Sequence, residues 1–193
     1  MNFISANFIT LIFWLFWPKN HINEINNPKK ALAKYFWNDY LKVKSVIEFK
    51  IRKLNIDLYN YEAVSIEEYK KNQLINFSSK TKQNKKNKST EINFDKVKQK
   101  LIITGSENQH SSPKEYIVGT WWNHEIVQAK AQISAISGRI IDQKVTFLGK
   151  EEISLYGKKY NSLRFNLSST DESLPKKKKN LILMFGMTKK QNC

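Results

Sequence analysis

From Leu41 onward the chain alternates residue by residue, and that period of two constrains the fold more than any other feature. Leu41, Val43 and Ser45 alternate with Lys42, Lys44 and Val46, and Ile56, Leu58 and Asn60 with Asp57, Tyr59 and Tyr61. Tyr61, Ala63, Ser65, Glu67 and Tyr69 then share one face, while Val64 and Ile66 take the other. Successive strand side chains point to opposite faces, so these stretches are expected to be β-strands. Lys71-Asn72 has the form of a hairpin turn because Asn tolerates positive φ, and Leu74-Ile75-Asn76-Phe77 is the returning strand.

Residues 80 to 90 hold no apolar side chain and form a solvated turn or an extended hairpin tip. Lys100 to Thr104 is a strand closed by Gly105, followed by a loop through Pro113. Residues 119 to 125 make an aromatic knot, and 126 to 134 are expected to lie across the sheet. Ser137-Gly138 turns the chain into Arg139 to Leu148, ended by Gly149. Glu151 to Leu155, the Tyr156-Gly157 turn and Lys159 to Leu167 complete a strand-turn-strand unit. Short strands at this spacing predict a mainly β fold, a single antiparallel, strongly curved sheet or half-barrel.

The N-terminus departs from this pattern. Residues 3 to 17 are the only long apolar run, and as a helix they would measure about 22 Å, short of the roughly 30 Å hydrocarbon core of a bilayer. Pro18 breaks such a helix. Residues 1 to 18 therefore read as an apolar leader helix, an export signal or a short uncleaved anchor. No Lys or Arg precedes the run, and Ala31-Leu32-Ala33 lies too far along to be its cleavage site. Residues 19 to 40 read as a linker, with a short helix over Pro28 to Trp37, ahead of a β-domain from 41 to 193. Export places the protein in the periplasm or at the inner membrane.

Lys and Arg total 33 against 17 Asp and Glu, a net charge of +16, and all but three of the basic residues (Arg52, Arg139 and Arg164) are Lys. Such a charge raises nucleic acid or an anionic surface as a partner. Asn and Ile abound as well, and Lys, Asn and Ile all have A/T-rich codons, so an AT-rich genome accounts for the excess without a ligand. The Lys tracts 80–88 and 176–179 contain no aromatic residue for stacking, so a nonspecific anionic surface fits them better than specific nucleic-acid recognition.

Few residues carry chemistry. The one Cys, Cys193, permits neither an intrachain disulfide nor a Cys-based zinc site. His21, His110 and His124 stand in no metal-ligand spacing, and six Gly form no phosphate loop. The carboxylate pairs Glu67-Glu68, Glu151-Glu152 and Asp171-Glu172 are adjacent on strands, so their members face opposite ways and cannot share a proton; they are expected to be solvated. No catalytic residue, metal or cofactor is expected. Trp121-Trp122-Asn123-His124 is the best local candidate for a site, since Trp and His close pockets with an apolar body and a polar tip. Arg139 follows the Ser-Gly turn that would bring it towards this knot. Trp121, Trp122, His124 and Arg139 are thus the candidate ligand-pocket residues, with core packing the plainer role of a Trp pair beside a sheet.

Several segments together resemble the bacterial, mainly alphaproteobacterial, domain of unknown function family 6134. They are Leu58-Tyr59-Asn60-Tyr61-Glu62-Ala63 through Glu67-Glu68-Tyr69, Asn72-Gln73-Leu74-Ile75 with Ser79-Lys80-Thr81, and Thr120-Trp121-Trp122-Asn123. Ser137-Gly138-Arg139-Ile140-Ile141, Phe147-Leu148-Gly149-Lys150-Glu151 and Gly157-Lys158-Lys159-Tyr160 follow in order, covering about residues 41 to 168. The resemblance implies an exported β-rich domain and supplies no reaction. Such domains continue with an acidic Asp-x-Trp-Tyr-Asp strand, whereas this chain runs from Lys176–Lys179 into Leu181-Ile182-Leu183-Met184-Phe185. Two readings of 180 to 193 follow. A one-base slip in the Lys codons puts them out of frame, since A/T-rich codons for this stretch spell the missing motif when read two bases later; alternatively they are a genuine apolar strand. Resequencing the gene decides between them.

Three functional readings are weighed. The first is a non-enzymatic exported β-protein holding an apolar ligand or an envelope partner, and the second a basic cytoplasmic polyanion- or nucleic-acid-binding protein. The third, a hydrolase using His124 and Glu125, has the least support.

Overall fold

A computed structural model describes residues 24–53, 56–106, 109–120, 122–155, 158–170 and 180–186. Strands dominate and none of these residues is α-helical. The apolar run 3 to 17, and the leader helix expected there, lie outside the described residues.

The first sheet has seven strands: β1 (Glu24–Trp37), β2 (Tyr40–Lys53), β3 (Ile56–Lys70), β4 (Gln73–Gln83), β5 (Lys86–Asp95), β6 (Lys100–Gly105) and β7 (Gln109–Pro113). Their spatial order is their chain order, every neighbouring pair antiparallel. The second sheet has the order β12-β11-β10-β9-β8, from β8 (Ile117–Val118), β9 (Ala131–Ile133), β10 (Ile140–Leu155), β11 (Lys158–Ser169) and β12 (Asn180–Gly186). The chain divides into two compact units, one of residues 24–116 with 133–140 and one of 117–132 with 141–186.

A single curved sheet or half-barrel is therefore corrected to two open antiparallel sheets. Closure needs first and last strands that can pair along their length, and β1 has 14 residues where β7 has 5. A second correction concerns Pro28 to Trp37, expected as a helix and found within β1. Ala, Leu and Lys are good helix formers, but propensity is overridden by tertiary pairing, and β2 offers this stretch a continuous antiparallel partner from Lys29↔Glu48 to Trp37↔Tyr40. Pro28 sits where the register shifts between Asn26 and Lys29, on an edge strand, where a missing N–H is tolerated.

The turns follow the local chemistry. Lys71 and Asn72 both take positive φ, 49° and 62°, the signature of a type I′ turn whose twist suits a hairpin. Residues 80 to 90 are the extended β4–β5 hairpin, turning at Asn84 (φ 53°). At the β5–β6 turn the Asp95 carboxylate accepts from the Val97 and Lys98 amides at 2.9 and 3.0 Å, which holds its pKa below the usual carboxylate value. The expected loop before Pro113 contains β7, and Gly149 does not end its strand. Gly149 (φ 129°) instead sits at a bulge between Phe147 and itself, and β10 continues to Leu155.

In the first unit the core lies on one face of the sheet. Val43, Glu67, Phe77, Ile92 and Ile103 form a row across five strands in direct register, all fully buried. Beside it runs a row of small residues, Ser45, Ser65, Ser79, Thr90 and Gly105. Residues 133–140 cover this second row. The Ser79 hydroxyl donates to the Ala135 carbonyl, and a Cβ on Gly105 would strike the Ser137 carbonyl. Gly138 (φ 76°) packs on Ile103, and its carbonyl accepts from His110 Nε2 at 3.0 Å. In the second unit Ile126 and Leu167 form the buried core, with Ile117, Val127, Val145 and Phe165 packed around them.

Candidate functional site

Trp121 lies outside the described residues. Asn123 is buried and caps a 3-10 turn, His124–Val127, by accepting from the Glu125 amide at 3.0 Å, while its Nδ2 donates to the Glu125 carboxylate at 3.3 Å. Trp122 is half-buried and His124 is exposed at the first position of the turn. Gln143 secures that turn from β10, donating to the Ile126 and Ala129 carbonyls at 2.8 and 3.0 Å and accepting from Gln132 at 2.9 Å. The C-terminal end of the turn that begins at His124 is thus held by a polar clamp that one Gln, unremarkable in sequence, supplies. Arg139 is exposed and belongs to the first unit, where its carbonyl accepts from the Ser134 amide at 2.8 Å.

The carboxylates separate by face as strand geometry requires. Glu68 pairs with Lys42 at 2.9 Å on the outer face, while Glu67 is completely buried on the inner one and accepts from the Tyr69 hydroxyl at 2.7 Å. Solvated carboxylates were expected, and Glu67 corrects that: it sits in register between Val43 and Phe77, all three fully buried. Lys34, whose strand partner Val43 lies between it and Glu67, has its pKa lowered by desolvation, against the opposing pull of Glu67. Glu151 meets Arg164 at 3.3 Å and Glu152 meets Lys159 at 2.8 Å. Among the described residues no group of three or more His, Cys, Asp or Glu is placed to hold a metal ion.

Two surfaces of the first unit have the character of binding sites. The inner face, filled around Phe77 and Ile92, becomes aromatic towards the other ends of β2 and β3. There Phe49 stacks on Tyr61 at 5.0 Å and meets Tyr59 at 5.7 Å, and all three rings are half-buried. Burial raises the pKa of both tyrosines, and Gln83 Nε2 donates to the Tyr59 hydroxyl at 3.1 Å. An apolar group with one polar tip would be matched by such a cluster. Sequence alternation put Tyr59 and Tyr61 on this face with Ala63 and Ser65; the ring of Phe49 joins them only through the β2–β3 register.

The second surface is a depression of about 510 Å³ on β3, β4 and β5, lined by Glu62, Val64, Lys80, Lys82, Lys88 and Ser106 among others. Val64, Lys80 and Ser89 are register neighbours, as are Glu62, Lys82 and Asn87, so two outer-face rows make its floor. Its lysines act as point charges towards an anion rather than as planar, bidentate readers. The Lys tract of the sequence thereby acquires a shape, on strands instead of a loose loop.

A family model described as a domain of unknown function (DUF6134) matches residues 34–183 of the chain. No curated protein and no solved structure matches it.

Proposed function

We propose that this chain, which belongs to the DUF6134 family, is a non-enzymatic binding protein of the cell envelope that receives an apolar ligand or partner segment on the aromatic half of its first sheet. The observation that carries the reading is the Phe49–Tyr59–Tyr61 cluster, half-buried on the same face whose other half is filled by Phe77, Ile92 and Ile103. A filled core needs no ligand, whereas partly open aromatic rings gain by being covered, at roughly 25 cal/mol per Å² of apolar surface. Export is supported by the apolar run 3 to 17, and among the described residues no helix is long and apolar enough to cross a membrane. Trp122 and His124, which lie together in the second unit, stay part of the proposal as a secondary site without Arg139, with no reaction assigned to them.

Titration with a fluorescent fatty acid tests the reading. Saturable binding is expected in the native chain, weakened about tenfold or more by Phe49→Ala with Tyr61→Ala, since each removes a large apolar contact. Equal affinity in the variant would refute the site. Cell fractionation tests the location, and a wholly cytosolic protein would sink the envelope assignment.

The Lys-lined depression favours a second reading, a nonspecific polyanion surface. Binding to duplex DNA that falls steeply with salt, and that Lys80→Gln with Lys82→Gln weakens, is its expected signature. Absence of binding at low salt would remove it.

A further inference from the structure

We propose that the end of the first sheet carrying its β1–β2, β3–β4 and β5–β6 turns docks on an anionic lipid bilayer. In an antiparallel meander these three turns fall at one end, and the Lys71 amide donates to the Asp39 carbonyl at 2.9 Å, tying the first two together. At the tip of β1, Tyr35, Phe36 and Trp37 are 54%, 65% and 49% exposed, three consecutive aromatic residues that cover both faces of the strand end. Trp37 stacks on Tyr40 across the turn, centroids 4.8 Å apart and planes at 19°. Val97 at the β5–β6 turn is 93% exposed, the most open large apolar side chain described.

Charge supplies the occupant. Lys70, Lys71, Lys96, Lys98, Lys100 and Lys114 crowd these same turns, against Asp39, Asp95 and Glu115. Asp95 is moreover engaged by Lys98 and by turn amides. Trp and Tyr settle at the headgroup level of a bilayer, while Lys extends its apolar stem downwards and keeps its ammonium among phosphates. Protein interfaces, by contrast, are depleted in Lys around their aromatic anchors. Six lysines around four rings therefore fit a lipid surface better than a protein one. The opposite end of the sheet is also basic, through Lys82, Lys85 and Lys86, yet shows no exposed aromatic among its described residues. The aromatic content, not the charge, singles out the docking end. This inference does not rest on the ligand reading above.

The test is partition of the full chain onto vesicles of phosphatidylcholine with and without phosphatidylglycerol. Tighter binding to the phosphatidylglycerol vesicles is expected. Phe36→Ser with Trp37→Ser should lower the partition coefficient about tenfold or more by removing two large apolar contacts. Leu58→Ser, exposed elsewhere on the same sheet, should leave it unchanged. Lys70→Gln with Lys71→Gln should cost about fivefold or more on phosphatidylglycerol vesicles alone. That pair decides the question if the aromatic variant has a lowered unfolding midpoint. Unchanged partition in both tip variants would overturn the proposal, because residues 3 to 17 or another surface would then hold the membrane. Loss of self-association in solution without loss of partition would overturn it too, making the tip a contact between copies.

Discussion

Gly105 shows how much one missing methyl group can decide. It stands in the row of small residues, and its open side is occupied by the Ser137 carbonyl, backbone that cannot rotate away. Gly105→Ala is therefore expected to destabilise the fold by about 2 kcal/mol or more, measurable as a lower urea midpoint with unchanged slope. Ser79→Ala, which removes only the hydrogen bond to Ala135, should cost about 1 kcal/mol. The tyrosines give a pH signature. Burial raises the pKa of Tyr59 and Tyr61 above the ordinary 10.0, with their mutual proximity adding to the rise in Tyr61. The folded state then binds more protons than the unfolded one, so the stability is complete below pH 10.0 and is lost as pH rises through the raised values. Tyr59→Phe with Tyr61→Phe should flatten this alkaline decline in unfolding midpoints recorded across that range; an unchanged decline would assign it to other groups.

At the scale of elements the turns carry the argument. The type I′ geometry at Lys71-Asn72 places a Lys at φ 49°, a region where a Cβ is crowded by backbone oxygen. Replacing the pair by Asn-Gly (Lys71→Asn with Asn72→Gly) is expected to raise stability by about 0.5–1 kcal/mol, read as a higher thermal midpoint. A lower midpoint would mean that the Lys71 side chain supplies more than its turn costs. Strand β1 makes the complementary point, because its Ala, Leu and Lys residues by themselves point to a helix. Pairing with β2 converts Pro28 to Trp37 into an edge strand and leaves the aromatic tip of that strand in solvent.

For the whole molecule the open edges matter most. Among the described residues both sheets end in strands paired on one side only, β1 and β7 in one and β12 and β8 in the other, and such edges invite pairing with other chains. Asn180–Gly186 pairs along β11 from Ser168↔Asn180 to Ser162↔Gly186. Truncation after residue 179 would bare β11, and the truncated chain is expected to elute as oligomers on size exclusion. A monomeric, equally stable truncation would show that β12 protects nothing. The truncated chain loses Lys189 and Lys190 from the net charge of +16 and stays strongly basic, which opposes self-association by repulsion, so the oligomers should grow with added salt.

Much of the first sheet is written in the sequence. Alternation placed Tyr61, Ala63, Ser65, Glu67 and Tyr69 on one face, and Asn72 marked a turn, because both depend on neighbours along the chain. Family membership was legible in segments whose order, rather than any single motif, was specific. The burial of Glu67, the strand state of Pro28 to Trp37 and the row from Ser45 to Gly105 were not. Each of these depends on which strand lies alongside and on which segment lies above. The small residues acquire a purpose only when residues 133–140 cross over them, more than 25 positions away along the chain. Local periodicity sets the face a side chain takes, while register and covering segments, fixed by contacts distant in sequence, decide whether that face is buried.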